Sequence, residues 1–239
     1  MKKILSAARN FILDILFPKF CLNCGKEGSY LCPDCVSLVS IADRQYCPFC
    51  SEPKIVFDGR TCSRCRQTKK LSGLYCAASY GDFLIRKMIK QFKYEPFAKE
   101  MSKPLSSLII NHLAILNKLE NFGDFISIPI PSHKRKLRQR GFNPAEEIGR
   151  EIAIILGIPL LNEVLIKIKP TDAQAELKKE ERLNNVKGAF MCRRPELIFG
   201  KKIILIDDVF TTGATMEEAA LVLKKAGAKE VWGMAVARG

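Results

Sequence analysis

From residue 75 onward, apolar runs and amphipathic segments take turns along the chain. Residues 75–79 read as a short strand. Ile85, Met88, Ile89 and Phe92 then recur at i, i+3, i+4 and i+7, one face of a helix. A second helix is predicted over 101–116, with Pro104 near its start. "FISIPI" (125–130) reads as a buried strand, with Pro129 and Pro131 at its carboxyl end, where ladder hydrogen bonding can stop. "NPAEEIGREIAIILG" carries its own punctuation: Asn143 as N-cap, Pro144 at N1, Glu146 at N3 and Gly157 as the stop. Ile148, Ile152, Ile155 and Leu156 supply its buried face. Residues 164–168 read as a further strand. "KKIILI" (201–206) is continuously apolar after its lysines, as expected of a central parallel strand covered on both faces. Met216, Ala219, Ala220 and Leu223 make another helix face, closed by Gly227, and "EVWGMAVA" (230–237) is the next strand. This alternation predicts an α/β body with a mostly parallel sheet.

The first 70 residues follow a different pattern. "FILDILFPKF" (11–20) is short and broken by Asp14 and Pro18, so no segment is expected to span a membrane. Lys2, Lys3 and Arg9 precede it, but no small-residue cleavage site follows, so it reads as a short amphipathic helix rather than a signal peptide. A peripheral membrane contact is the lesser reading. Beyond it, cysteine dominates. Eight of the ten cysteines form four C-x-x-C pairs: Cys21/Cys24, Cys32/Cys35, Cys47/Cys50 and Cys62/Cys65. Each pair offers two thiolates from one tight knuckle, and two knuckles complete a tetrahedron, so the pattern predicts two structural zinc ions. Sequential and interleaved pairings are both compatible with the spacing. Such a metal replaces the core that about fifty residues cannot build. Cys76 and Cys192 read as ordinary buried thiols.

Charge narrows the set of partners. A formal net charge of +14 over 239 residues favours polyanions: nucleic acid, anionic lipid or phosphorylated ligands. Within the cysteine module, Arg64 and Arg66 stand among other basic residues interleaved with Tyr30, Tyr46, Phe49 and Phe57. Basic knuckles with aromatics suit single-stranded nucleic acid, through phosphate contacts and base stacking. A second dense basic run comprises Lys134, Arg135, Lys136, Arg138 and Arg140. It is expected either to hold phosphates or to be a solvated loop.

The chemistry concentrates in "IILIDDVFTTGAT" (203–215). Asp207 and Asp208 fall at the carboxyl end of the predicted central strand, where open α/β sheets bind ligands. Thr211, Thr212, Gly213, Ala214 and Thr215 follow and open a helix, whose amides can cradle a phosphate. Carboxylates repel that phosphate but accept hydrogen bonds from ribose hydroxyls, and can help hold magnesium. The combination suits a ribose 5-phosphate. No G-x-x-x-x-G-K-[ST] occurs and no G-x-G-x-x-G follows a strand, which disfavours a P-loop or a dinucleotide fold.

This stretch resembles the phosphoribosyl pyrophosphate motif of type I phosphoribosyltransferases. Together with the four C-x-x-C pairs, "LFPKFC", "QFKYEPFA", "PIPSHKRKLRQRGFNPAEEIGREIA" and "TDAQAELKKEERLNNVKGAF", it makes the chain similar to the ComF family of competence proteins. The resemblance implies a type I phosphoribosyltransferase-like α/β domain over 71–239 and a double zinc-ribbon module over 1–70. It matches Asp207 and Asp208 to sugar-hydroxyl acids and Thr211, Thr212, Gly213, Ala214 and Thr215 to a 5′-phosphate loop. Pro131, Ser132, His133 and Lys134 fall where such enzymes place a pyrophosphate-binding loop. Arg138, Arg140, Gly141, Phe142 and Asn143 match the family's core. Thr171, Gln174, Arg182, Asn185, Gly188, Ala189 and Phe190 match a hood segment. Where the family often carries arginines before that threonine, this chain has Lys167 and Lys169, which keep the charge but not the bidentate fork.

The implied protein is cytoplasmic and acts on incoming single-stranded DNA in natural transformation, with phosphoribosyl pyrophosphate and Mg2+ as ligands. If it is a phosphoribosyltransferase, Asp207, Asp208, His133 and Lys134 are the candidate catalytic groups. Three functions remain open at this point: a DNA-binding or DNA-processing protein with a retained ribose-phosphate site, an active transferase, and a zinc-stapled adaptor for a DNA-uptake helicase or recombination proteins.

Overall fold

A computed structural model describes residues 18–94, 98–170 and 185–239. Most of the amino-terminal amphipathic segment, and Thr171, Gln174 and Arg182 of the hood, lie outside them. The chain divides into two compact units, Met1–Ser40 and Ile41–Gly239. The first holds Cys21, Cys24, Cys32 and Cys35; Cys32 is the N-cap of a single helical turn, α1 (Pro33–Val36), and Cys35 lies within it. The second begins with the other four clustered cysteines; Cys62 is the N-cap of α2 (Ser63–Arg66), and Cys65 lies within it.

The second cluster is built into the α/β unit. Thr61 Oγ1 donates to the Leu71 carbonyl at 2.7 Å, deep in the core. From there the chain enters β1 (Gly73–Ser79), α3 (Phe83–Tyr94), α4 (Ser102–Ile115), β2 (Phe125–Pro129), α5 (Lys134–Arg140) and α6 (Pro144–Leu156). It continues through β3 (Leu165–Lys167), β4 (Phe190–Cys192), β5 (Lys202–Phe210), α7 (Ala214–Lys225) and β6 (Glu230–Arg238). The main sheet has the order β1-β6-β5-β2 and all its pairings are parallel. β5 is central, and Ile203, Ile204, Leu205 and Ile206 are fully buried, which explains the unbroken apolar run. Pro129 is accommodated because β2 is the last strand of its sheet.

Side chains of β5 alternate between two layers. Ile203 and Leu205 join Met216, Ala219 and Leu223 of α7 in one core cluster. A Cβ added at Gly149 of α6 would stand 3.4 Å from Ile206 Cδ1, so Ile206 faces the α6 layer. The segment 164–168 does form a strand, but outside the main sheet. β3 pairs antiparallel with β4 as a separate two-stranded sheet. The basic run 134–140 is a helix, not a loop. His133 caps it, with Nδ1 accepting from the Arg135 amide at 3.4 Å. Asn143 takes the N-cap position of α6, but its side chain does not bond the helix. It turns back to the preceding loop instead.

Candidate functional site

A cavity of about 540 Å³ opens at the carboxyl ends of β2 and β5. Adjacent residues of a strand point to opposite faces, so Asp207 and Asp208 enter it from different sides. Asp208 lies towards the helix layer and meets the Lys93 ammonium, from the last turn of α3, at 2.6 Å. Burial opposes the charge on Lys93, but Asp208 more than offsets this and holds its pKa above the ordinary value. Among the described residues no cation pairs with Asp207 in this way. Burial, then the neighbouring Asp208 carboxylate, raise it from 3.8 to about 7, although Lys93 works in the opposite direction. The Asp208 amide donates to Asp207 Oδ1 at 2.9 Å and fixes that carboxylate.

Opposite the acids stand cations. Lys136 and Arg140 reach the cavity from α5, and Lys167 from β3. Lys167 is brought down to about 8, first by burial and then by Lys136. Arg140 also lies over the Tyr94 ring at 5.2 Å, and Phe142 packs on Phe92 at 5.3 Å. The end of α3 is thereby fastened to the 140–142 segment. Ser132 and His133 line the same cavity. Their loop is tied down by Asn143, which accepts from Ser132 Oγ at 3.0 Å and donates to the Ile130 carbonyl at 3.1 Å.

Thr211 and Thr215 complete the wall. Thr212, Gly213 and Ala214 form the turn between them without lining the cavity. Gly213, the N-cap of α7, has φ 78°, a left-handed conformation that excludes most side chains. A Cβ there would also lie 2.5 Å from Phe210 Cζ. Of the residues expected from the sequence, Asp207, Asp208, Thr211, Thr215, Ser132, His133, Lys136 and Arg140 are thus assembled in one place. Lys134, Arg135 and Arg138 are not in it; with Gln139 they border a separate, more open hollow that His133 also touches. Arg64 is exposed, and Arg66 donates to the Thr61 carbonyl at 3.0 Å. Lys93, Tyr80 and Tyr94 were not expected in the cavity. The only sequence cue was their place in or before the "QFKYEPFA" segment.

The two cysteine groups are sequential: Cys21, Cys24, Cys32, Cys35 and Cys47, Cys50, Cys62, Cys65, with each set of sulfurs within 4.8 Å. Sulfur separations of 3.6 Å (Cys24–Cys32), 3.7 Å (Cys50–Cys62) and 3.8 Å (Cys50–Cys65) match the roughly 3.8 Å edge of a tetrahedron with ~2.3 Å zinc–sulfur bonds. The donor chemistry agrees. The Cys65 amide draws Cys62 down to about 6, whereas burial and then the neighbouring thiols push Cys65 up to about 12. Four crowded thiols cannot all ionise unaided, and a dication lets them do so. Both groups are compatible with structural zinc.

Comparison with known proteins agrees with this architecture. A double zinc ribbon domain model matches residues 12–66, and a phosphoribosyl transferase domain model matches 139–238. Competence protein F of Haemophilus influenzae is 35% identical over 111 residues, which cover 45% of this chain and 48% of that protein. The match therefore spans about half of that relative. DNA utilization protein YhgH of Shigella flexneri is 29% identical over 84% of this chain and 88% of its own length. Competence protein ComFC of Streptococcus pneumoniae is 24% identical over 86% of each. The chain is thus similar to competence and DNA-utilization proteins and carries the two domains that these models describe. The ribbon match holds all eight paired cysteines, and the transferase match holds Arg140, Lys167, the two acids and the threonine turn of the cavity. Among the described residues, no helix is long and apolar enough to cross a membrane.

Proposed function

We propose that this protein binds single-stranded DNA during natural transformation and carries a working site for phosphoribosyl pyrophosphate or another ribose 5-phosphate. The observation that carries the reading is the single cavity in which Asp207 and Asp208 face Lys136, Arg140 and Lys167 beside Thr211 and Thr215. The acids suit ribose hydroxyls, the threonine turn a 5′-phosphate, and the cations a diphosphate. Magnesium would enter with the diphosphate, and the free edge of the acid pair is its candidate contact. The exposed basic residues Lys134, Arg135 and Arg138 suit the DNA backbone, with phosphate contacts that weaken as salt rises. The names of the relatives support the DNA side of this reading.

The test is a calorimetric titration of phosphoribosyl pyrophosphate with magnesium into wild type and Asp208→Ala, with circular dichroism as a folding control. Saturable binding that the variant loses supports the site. No binding by zinc-loaded wild type overturns it. For DNA, a labelled oligothymidine is titrated over a salt series. Replacing Lys134, Arg135 and Arg138 by Gln is expected to lower the salt slope by about 2, near 0.7 per lost phosphate contact.

A second reading, transfer of phosphoribose to an acceptor, draws on the same cations, since Lys136, Arg140 and Lys167 are placed to neutralise a departing pyrophosphate. It predicts pyrophosphate release with some nucleobase. A cytoplasmic location belongs to both readings, and a helicase or recombination partner to the first.

A further inference from the structure

We infer that Phe49, held between two cysteines of the second cluster, is a positioning residue for the 211–213 turn, so that metal in this cluster sets the affinity of the phosphate loop. The inference rests on the reading of that loop given above. Three attachments carry it. First, Phe49 is part of Cys47-Pro48-Phe49-Cys50, so a candidate ligand stands two positions before it and another directly after it. Its ring meets Phe210 edge-on at 6.4 Å, and a Cβ at Gly213 would lie 2.9 Å from Phe49 Cε1. The two rings close on the left-handed glycine and leave the turn no room to relax towards them.

Second, the chain just past Cys65 holds the helix that the turn opens. The Lys70 and Leu71 amides donate to the Glu217 carboxylate at 2.8 and 3.1 Å. The Glu217 amide in turn donates to the Gly213 carbonyl at 2.9 Å. Third, Arg238 donates to the Cys47 and Pro48 carbonyls at 3.2 and 3.4 Å. Arg238 is the β6 register partner of Phe210, the residue that opens the turn.

A four-thiolate zinc site ties Cys47, Cys50, Cys62 and Cys65 to one centre, and without the ion the knuckle keeps its hydrogen bonds but loses that tie. Metal loss therefore loosens Phe49 and the 70–71 amides together, and the turn loses both supports. Linkage makes the effect reciprocal: a phosphate ligand on the turn raises the affinity of this cluster for its metal.

The test uses the full chain and Phe49→Ala, which keeps all eight cysteines. Magnesium phosphoribosyl pyrophosphate binding is measured by calorimetry, zinc content by elemental analysis, and amide hydrogen exchange over 211–215 without ligand. The expected result is retained zinc, affinity weakened about tenfold or more, as when a supporting contact behind a site is lost, and faster exchange in the turn. Phe49→Leu falls between. Wild-type affinity and unchanged exchange in Phe49→Ala overturn the inference. If wild type binds no ligand, the proposed site fails, and exchange alone decides the positioning role. If Phe49→Ala does not fold, Phe49→Leu and partial zinc removal by a chelator replace it, and turn exchange unaltered by both overturns the inference.

Discussion

The Lys93 ammonium and the Asp208 carboxylate meet at 2.6 Å where the end of α3 reaches the carboxyl end of β5. Lys93 neutralises one of two adjacent acids and leaves the other, Asp207, to carry the repulsion. The pair is expected to couple energetically. Lys93→Met or Asp208→Asn alone leaves a charge without its partner and costs about 2 kcal/mol, less than the 3–5 typical of full burial because Lys93 keeps 23% of its side-chain exposure. The double substitution costs less than the sum. A urea double-mutant cycle giving purely additive effects removes the pair from the account.

Asp207 makes stability depend on pH. The unfolded chain releases this proton near 3.8 and the folded chain near 7, so between these values the unfolded state binds fewer protons. The group therefore lowers stability as pH rises through that window, and its effect is level above it. Asp207→Asn is expected to be more stable than wild type at pH 8, with an advantage that shrinks towards pH 4. Denaturation midpoints at pH 5 and pH 8 that differ by the same amount would count against this.

Gly213 is expected to tolerate no side chain. Gly213→Ala places a Cβ in a left-handed residue, which costs about 1–2 kcal/mol, and forces it against Phe210. The folded variant loses phosphoribosyl pyrophosphate binding, while its zinc content stays that of wild type. Wild-type affinity in calorimetry is the contrary outcome.

Asn143 is expected to act on the loop rather than on the helix it opens. Asn143→Ala removes two hydrogen bonds to the 130–132 segment, at about 1 kcal/mol each. Helix content by circular dichroism stays unchanged, since no side-chain cap is lost. Faster amide exchange over 130–133 is the readout.

Elemental analysis is expected to give about two zinc ions per chain. Cys62→Ser leaves about one and lowers the unfolding midpoint of the α/β unit, because its cluster is bonded into that unit through Thr61 and Arg238. An unchanged midpoint argues against a structural role for the second metal.

Much of this was legible in the chain. The apolar continuity of 203–206 reports burial on both faces, and the C-x-x-C pairs report the metal geometry directly, because both signals are local. Lys93 was not legible. On a helix end it reads as any solvated lysine, and only the topology that brings α3 to β5 gives it a partner. The α5 helix escaped because "KRKLRQR" has no apolar face, and its order comes from the His133 cap. β3 was visible as a strand, but its partner is a three-residue strand with no periodicity to reveal it. Asn143 has the right identity for a cap, and a competing pair of acceptor and donor in the 130–132 loop claims its side chain.

The bonds from Arg238 to Cys47 and Pro48 span 191 and 190 positions of the chain. During synthesis the second cysteine knuckle leaves the ribosome long before β6 exists, and closing so large a loop comes late on entropic grounds. Four thiols must wait meanwhile, open to oxidation and mispairing. Early capture of zinc would protect them through that interval, and would deliver a preformed knuckle to the last strand of the sheet.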